Sequence, residues 1–184
     1  TWEGTVRRSE NVIGSIIDSV ANKTKRDIML FRPHPTKKIK NILLPAGGGP
    51  HAQAAEIYAG GLAKTMKGSL TVLRVVTKAN LSEEEELEVE AQLDNSKNRI
   101  KEKCGLNVKT KLISPPRIEA AIKEASSVYD TVFIGATKKS MYHHVLFGTL
   151  PETLAKELDT NIVIVKYHSS VGAVWGKVFG EKSV

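Results

Sequence analysis

Two glycine-rich stretches hold the residues best suited to chemistry. The first is Pro45-Ala46-Gly47-Gly48-Gly49-Pro50. The second starts at Gly135-Ala136-Thr137-Lys138 and resumes at Phe147-Gly148-Thr149-Leu150. Glycine tolerates positive φ and lets another group come close to the backbone. A hydroxyl residue at a helix start, beside free N–H groups, suits an anion. Together the stretches would make a phosphate cradle. Neither fits the spacing of a P-loop or a dinucleotide fingerprint. Lys138, Lys139, His143 and His144 lie in the second stretch, where they are either further phosphate contacts or solvated loop residues. No spaced Cys, His or Asp cluster accompanies the histidines, so no metal is implied. Cys104 and Ser114 carry no nucleophile motif, and no catalytic residue is assigned.

Elements that would position these stretches follow from apolar periodicity. Strands are expected over 39–45, 70–76, 106–113, 131–135 and 161–166. Helices are expected over 52–67, from Ser82 to Cys104, after Pro115-Pro116 and over 149–158. The first helix carries Ala54, Tyr58, Leu62 and Met66 on one stripe, with Gly68 as its stop. Ser82 is a good N-cap, Glu83 to Glu86 sit at the positive end of the dipole, and Gly105 closes that helix. Leu106, Val108 and Leu112 alternate with polar residues, and Asp130 reads as a turn residue. Alternating strands and helices imply a parallel sheet with helices on both faces. Ligands on such sheets sit beyond the carboxyl ends of the strands, where the strand order reverses.

The 184 residues suffice for one core and little more. No run of about 18 apolar residues occurs, as a membrane span would need. A single cysteine gives no internal disulfide. The formal charge is +7, but the basic residues are scattered and aromatics are 5%. Single-strand recognition needs aromatic stacking platforms, so nucleic acid is not an expected partner.

The chain also repeats itself. With Gly14 laid on Gly148, residues 14–21 fall on 148–155 without a gap, and Asp27-Ile28-Met29-Leu30-Phe31 falls on Asn161-Ile162-Val163-Ile164-Val165. Residues 1–32 are therefore expected to be the end of a preceding copy, 33–38 a linker and 39–168 a complete domain. The start at Thr1 suggests a piece of a longer protein. Residues 169–184 form an amphipathic tail, with Val171, Val174, Trp175, Val178 and Phe179 at helical spacing. That tail either folds back on the domain, stays a disordered end, or touches a membrane surface or partner.

With these residues in view, the chain resembles the universal stress protein family. Gly135, Gly148 and Thr149 stand at the spacing of the family's late glycine motif, and Pro45 ends the first strand of the domain as in the family. The resemblance covers about 36–168 in full and 1–32 in part. It implies an α/β, flavodoxin-like (adenine-nucleotide α-hydrolase-like) fold, with five parallel strands in the order 3-2-1-4-5 and helices on both faces. It also implies ATP or another adenine nucleotide as ligand. The phosphates and ribose would lie at Gly135, Ala136, Lys138, Gly148, Thr149 and Leu150. Adenine would lie at Val75 and Val76, beside Pro45, Ala46, Gly47 and Gly48. Two positions depart from the family pattern. Gly47 stands where the family has Asp, and Lys138 where it has the middle glycine.

The resemblance further implies pairing of domains through their last strands, as a homodimer or pseudo-dimer. The Pro45–Pro50 loop and the preceding partial copy are similar to tandem domains fused behind prokaryotic amino-acid permeases. The leading expectation is a cytoplasmic regulatory module that binds nucleotide and is attached to a transporter. The alternative is an interaction domain without ligand, whose strands 28–31 and 162–165 pair. A weak ATP hydrolase ranks third, because no carboxylate ends the first strand of the domain; the chain is not expected to be an enzyme.

Overall fold

Continuous apolar runs along the central strands, whose side chains point alternately to either side, give the sheet two buried faces. The computed structural model describes Ile17, Val20 and residues 23–78, 80–137 and 147–168. Its strands are β1 (Ile28–Arg32), β2 (Asn41–Pro45), β3 (Ser69–Val75), β4 (Lys109–Ile113), β5 (Thr131–Gly135) and β6 (Asn161–Lys166). The helices are α1 (Gly49–Thr65), α2 (Glu83–Cys104), α3 (Ile118–Ser126) and α4 (Thr149–Glu157). The sheet order is β1-β6-β5-β2-β3-β4. From β2 onward the pairing is parallel and follows the expected 3-2-1-4-5 order, and β1 adds a sixth strand antiparallel to β6.

Ile42, Leu44, Leu70, Val72, Phe133, Val163 and Val165 pack with α1 and α2. Leu43, Leu73, Val132, Ile134, Ile162 and Ile164 pack with α3 and α4 on the other face. Helices thus cover both faces, as the alternating pattern requires.

The register of β1 against β6 has an unusual symmetry. Leu30 faces Ile164, and the two are 134 positions apart, the offset that also lays Gly14 on Gly148. Ile28 faces Lys166, the counterpart of Arg32, and Arg32 faces Ile162, the counterpart of Ile28. Positions 134 apart in the sequence therefore meet about a local twofold at Leu30. Side-chain bonds hold the segment in place. Asp27 accepts from Tyr58 Oη at 2.6 Å and from His168 N at 2.8 Å, while His34 N donates to Asn161 Oδ1 at 2.7 Å. Hydrogen bonding by Asp27, aided by burial, pushes the Tyr58 hydroxyl up to about 12.

Several expectations need correction. The buried face of α1 is Ala52, Ala55, Glu56, Ala59, Gly60 and Ala63. Ala54, Tyr58 and Leu62 flank that face, and Met66 lies beyond the helix, 47% exposed. Small residues form the contact because α1 lies close to its neighbours. A Cβ on Gly60 would come within 2.9 Å of Ile100 and 3.0 Å of Cys104 Sγ. The helix stop is Lys67, at φ +51, with Gly68 N donating to Ala63 O. This is the αL closure usually given to glycine. Gly68 is needed for another reason: a Cβ there would lie 2.1 Å from Lys40 O. On edge strand β4 the inward residue is Ile113, whereas Leu112 is 40% exposed and Lys109 and Lys111 are exposed. Pairing of β4 begins at Lys109, after Leu106 and Val108 have packed against the α1–α2 side.

The α2 start follows expectation: Ser82 and Glu85 form a reciprocal capping box, and Gly105 closes the helix at φ +64. Asp130 does more than turn the chain. Its carboxylate accepts from Asn41 N and its carbonyl from Asn161, which joins the starts of β2, β5 and β6.

Two glycines of α1 and its turn should respond in opposite directions. Gly68→Ala is expected to cost about 3 kcal/mol through overpacking against backbone. Gly61→Ala, whose Cβ meets nothing within 4 Å, should gain up to about 1 kcal/mol from helix propensity. Urea denaturation of the two variants measures both. Equal effects would show that contact geometry does not separate them.

Candidate functional site

The strand order reverses between β2 and β5, because the chain leaves β2 toward β3 and leaves β5 toward β6. Their carboxyl ends part there, which is where open α/β sheets take ligands. Pro45 ends β2 and Ala46 follows it, both buried, and Gly47, Gly48 and Gly49 then run exposed into the start of α1. Gly48 and Gly49 adopt φ +83 and +78, and a Cβ on any of the three would meet nothing within 4 Å. Only glycine takes that path cheaply while leaving the backbone uncovered. Val75 and Val76 stand half-buried at the end of β3, the Val76 N–H bonded to Ile113 O.

Gly148 caps α4 at φ +96. Thr149 is exposed and Leu150 half-buried in the first turn, whose N–H groups have no intrahelical acceptor. The buried Glu152 carboxylate accepts from Phe147 N at 3.2 Å and braces this turn from inside.

The glycines at the switch point divide into two kinds. Gly135 and Gly148 are buried by the chain itself. A Cβ at Gly135 would lie 2.6 Å from the backbone of His51 and Ala52, and one at Gly148 would lie 1.6 Å from Thr137 Oγ1. Their small size serves packing of α1 and of the β5–α4 loop, while the open backbone belongs to Gly47–Gly49. Ala136 is likewise buried, its N–H bonded to Val165 O. Lys138, Lys139, His143 and His144 lie outside the described residues, as does the tail 169–184. Among the described residues no cluster of three metal-ligating side chains occurs.

Several polar residues that the sequence did not single out have defined partners near the glycine loop: His51 toward the end of β6, and Arg74, Glu56 and Arg99 around a common cleft. His51, at the start of α1, accepts from Tyr167 N at Nδ1. Burial and then the Lys166 charge push its pKa down, so the imidazole is held neutral. Arg74, one residue before Val75, donates from Nη1 to Ala46 O at 2.8 Å and so fixes the base of the loop. Its signal in the sequence was a charged residue between the strand residues Leu70-Thr71-Val72-Leu73 and Val75-Val76. Glu56 of α1 is 2% exposed; it accepts from Ser96 Oγ at 2.7 Å and faces Arg99 Nε at 3.1 Å. That contact with Arg99 is off the line of a hydrogen bond and is chiefly Coulombic. Burial pushes the Glu56 carboxyl up, against the Ser96 bond and the Arg99 charge.

The sequence profile of the Universal stress protein family matches residues 38–166. No curated protein matches the chain. Solved structures share the fold at low identity. A universal stress protein in complex with cAMP aligns at TM-score 0.59 and 17% identity, covering 71% of this chain and 98% of its own. The protein from Archaeoglobus fulgidus in complex with dAMP aligns at 0.57 and 12%, covering 71% and 100%. Another from Archaeoglobus fulgidus DSM 4304 aligns at 0.62 and 17%; it covers 86% of this chain with 56% of its own.

The raised Glu56 pKa has a defined sign in stability. Its contribution is fully present below the ordinary value of 4.5 and is lost as pH rises through the higher folded value. The stability of the protein minus that of Glu56→Gln should therefore fall as pH rises from about 4.5. Urea titrations of both chains across pH measure this difference. A difference that does not change with pH would count against a carboxyl held up by burial.

Proposed function

The chain belongs to the universal stress protein family, and from that premise we propose that it is a regulatory module that binds an adenine nucleotide at the β2–β5 switch point. The observation that carries the reading is the Gly47–Gly49 loop, which leaves backbone open at the carboxyl end of β2 while facing no side chain of its own. Relatives solved with cAMP and dAMP support the ligand class. Adenine would lie toward Val75 and Val76, and phosphate toward Thr149, Leu150 and the start of α4. Here the family's carboxylate is missing at Gly47, so the ribose would be held by backbone groups alone. Lys138 would add charge to the phosphate end.

The module would act through binding rather than turnover, on the cytoplasmic side, with a membrane transporter as the attached effector, as the Pro45–Pro50 loop implies. Among the described residues no helix is long and apolar enough to cross a membrane.

A second reading concerns β1. We propose that 1–32 ends a preceding copy of the domain and that β1 and β6 form the pairing surface of a pseudo-dimer. The supporting observation is burial. Val163 and Val165 of β6 are 5% and 0% exposed beneath α1, whereas their counterparts Met29 and Phe31 are 54% and 43% exposed. The missing cover is the α1 of another copy.

Calorimetry with AMP, ATP and cAMP tests the first reading. Saturable binding is expected, with a concentration-dependent rise in Tm. Thr149→Glu places a negative charge at the start of α4, which suits the helix but repels phosphate. It should keep the fold and weaken AMP binding by about tenfold, roughly 1.4 kcal/mol. No binding of any of the three would defeat the proposal.

Light scattering tests the second reading. A chain lacking 1–32 exposes the edge of β6 and should form a homodimer. A strictly monomeric truncated chain would argue that β1 is not standing in for a partner strand.

A further inference from the structure

Away from the β5–α4 turn, a cleft of about 260 Å³ opens between α1 and α2. Gln53 and Glu56 line it from α1, Gln92, Asn95 and Arg99 from α2, and Arg74 from β3. Gly47 and Gly48 form part of its rim, but none of Val75, Val76, Gly135, Gly148 or Thr149 reaches it. Two helices packed only for stability would fill such a space with apolar side chains. Here Ala46 and Leu93 are the apolar part of the lining, and the rest of the side chains are amide, guanidinium, hydroxyl and carboxylate.

The charges decide what such a cleft favours. Two guanidinium groups line it against one carboxylate, Glu56. The Glu56 charge is offset by Arg99 at 3.1 Å, and its Oε1 accepts from Ser96, which leaves Arg74 as the charge in the lining without a carboxylate against it. Arg74 spends Nη1 on Ala46 O, and its buried Nε has no acceptor. Glu88 also acts on Arg74, but it is exposed and its charge is screened by water. Arg99 has only its Nε directed at Glu56 among the described contacts, and the forked remainder of its guanidinium matches a planar or tetrahedral oxyanion. The amides of Gln53, Gln92 and Asn95 supply further donors around the same space.

We propose that this cleft binds a small oxyanion-bearing metabolite, its carboxylate or phosphate group seated between Arg74 and Arg99. The volume is near the lower end of small-molecule sites, which limits the guest to a compact one. Because α1 and α2 both contribute, the guest would tie the two helices together. The base of the glycine loop is held by Arg74, so occupancy would be felt there too. This site does not depend on nucleotide binding.

Thermal shift and calorimetry with inorganic phosphate and with malonate, at constant ionic strength against sodium chloride, test the proposal. A saturable rise in Tm is expected with at least one probe. Response to phosphate alone assigns a phosphate ester, and response to malonate alone a dicarboxylate. Gln92→Trp fills the cleft without disturbing the buried pair, and Arg99→Lys keeps the charge but loses the fork. Each should weaken binding by about tenfold or more, while Lys123→Ala, on α3 across the sheet from the cleft, should leave it unchanged. If Gln92→Trp lowers the Tm in chloride alone, Asn95→Trp replaces it. No saturable effect with either probe, or equal effects in the wild type and the cleft variants, would overturn the proposal. Loss of the phosphate effect in Thr149→Glu would do the same, by moving the anion to α4.

Discussion

Close packing of α1 on the sheet is the constraint on which the rest of the structure depends. The helix meets the sheet through Ala55, Ala59 and Ala63, all fully buried. Side chains this short let the start of the helix come within contact of β5, and only glycine fits at position 135 beneath it. That approach fixes where β2 must end and how tightly the loop of Gly47–Gly49 must turn. It also brings Gly60 against Ile100 and Cys104, which draws α2 in and leaves Glu56 enclosed between the helices. Dispersion contacts at such distances are individually small but numerous. A larger residue on this face would lift α1 and undo the loop, the glutamate and the α2 contact together.

Much of this was legible in the residues. The order of strands and helices and the caps at Ser82 and Gly105 follow from local rules. The pairing of 28–31 with 162–165 was expected from the family resemblance, and the two strands do pair. The family assignment rested on spacing around Gly135 and Gly148, and the profile match to 38–166 agrees with it.

The α1 face was harder to read. Periodicity favours the larger apolar residues, and Tyr58 and Leu62 drew the stripe one residue away from the alanines that make the contact. That shift also hid Glu56, which falls on the true face. Arg74 lay within a strand where charge is normally a surface signal, and its partner is a backbone carbonyl that no side-chain pattern reveals. The glycines show a further limit. Sequence marks where glycine occurs but does not separate Gly135, which yields to a neighbouring helix, from Gly47, which faces open space. Lys67 illustrates the reverse case: the left-handed residue ending α1 is a lysine, while the adjacent glycine answers to Lys40.

The two edges of the sheet are chemically unlike. At β4, Lys109 and Lys111 stand exposed along the margin, and bringing two such margins together would crowd like charges in a low-dielectric seam. At β1 the margin is short, largely uncharged and flanked by the bare side chains of Met29 and Phe31. Among the described residues the two margins are thus guarded differently: charge makes β4 a poor partner for another strand, and no such charge pattern lies along Ile28 to Phe31.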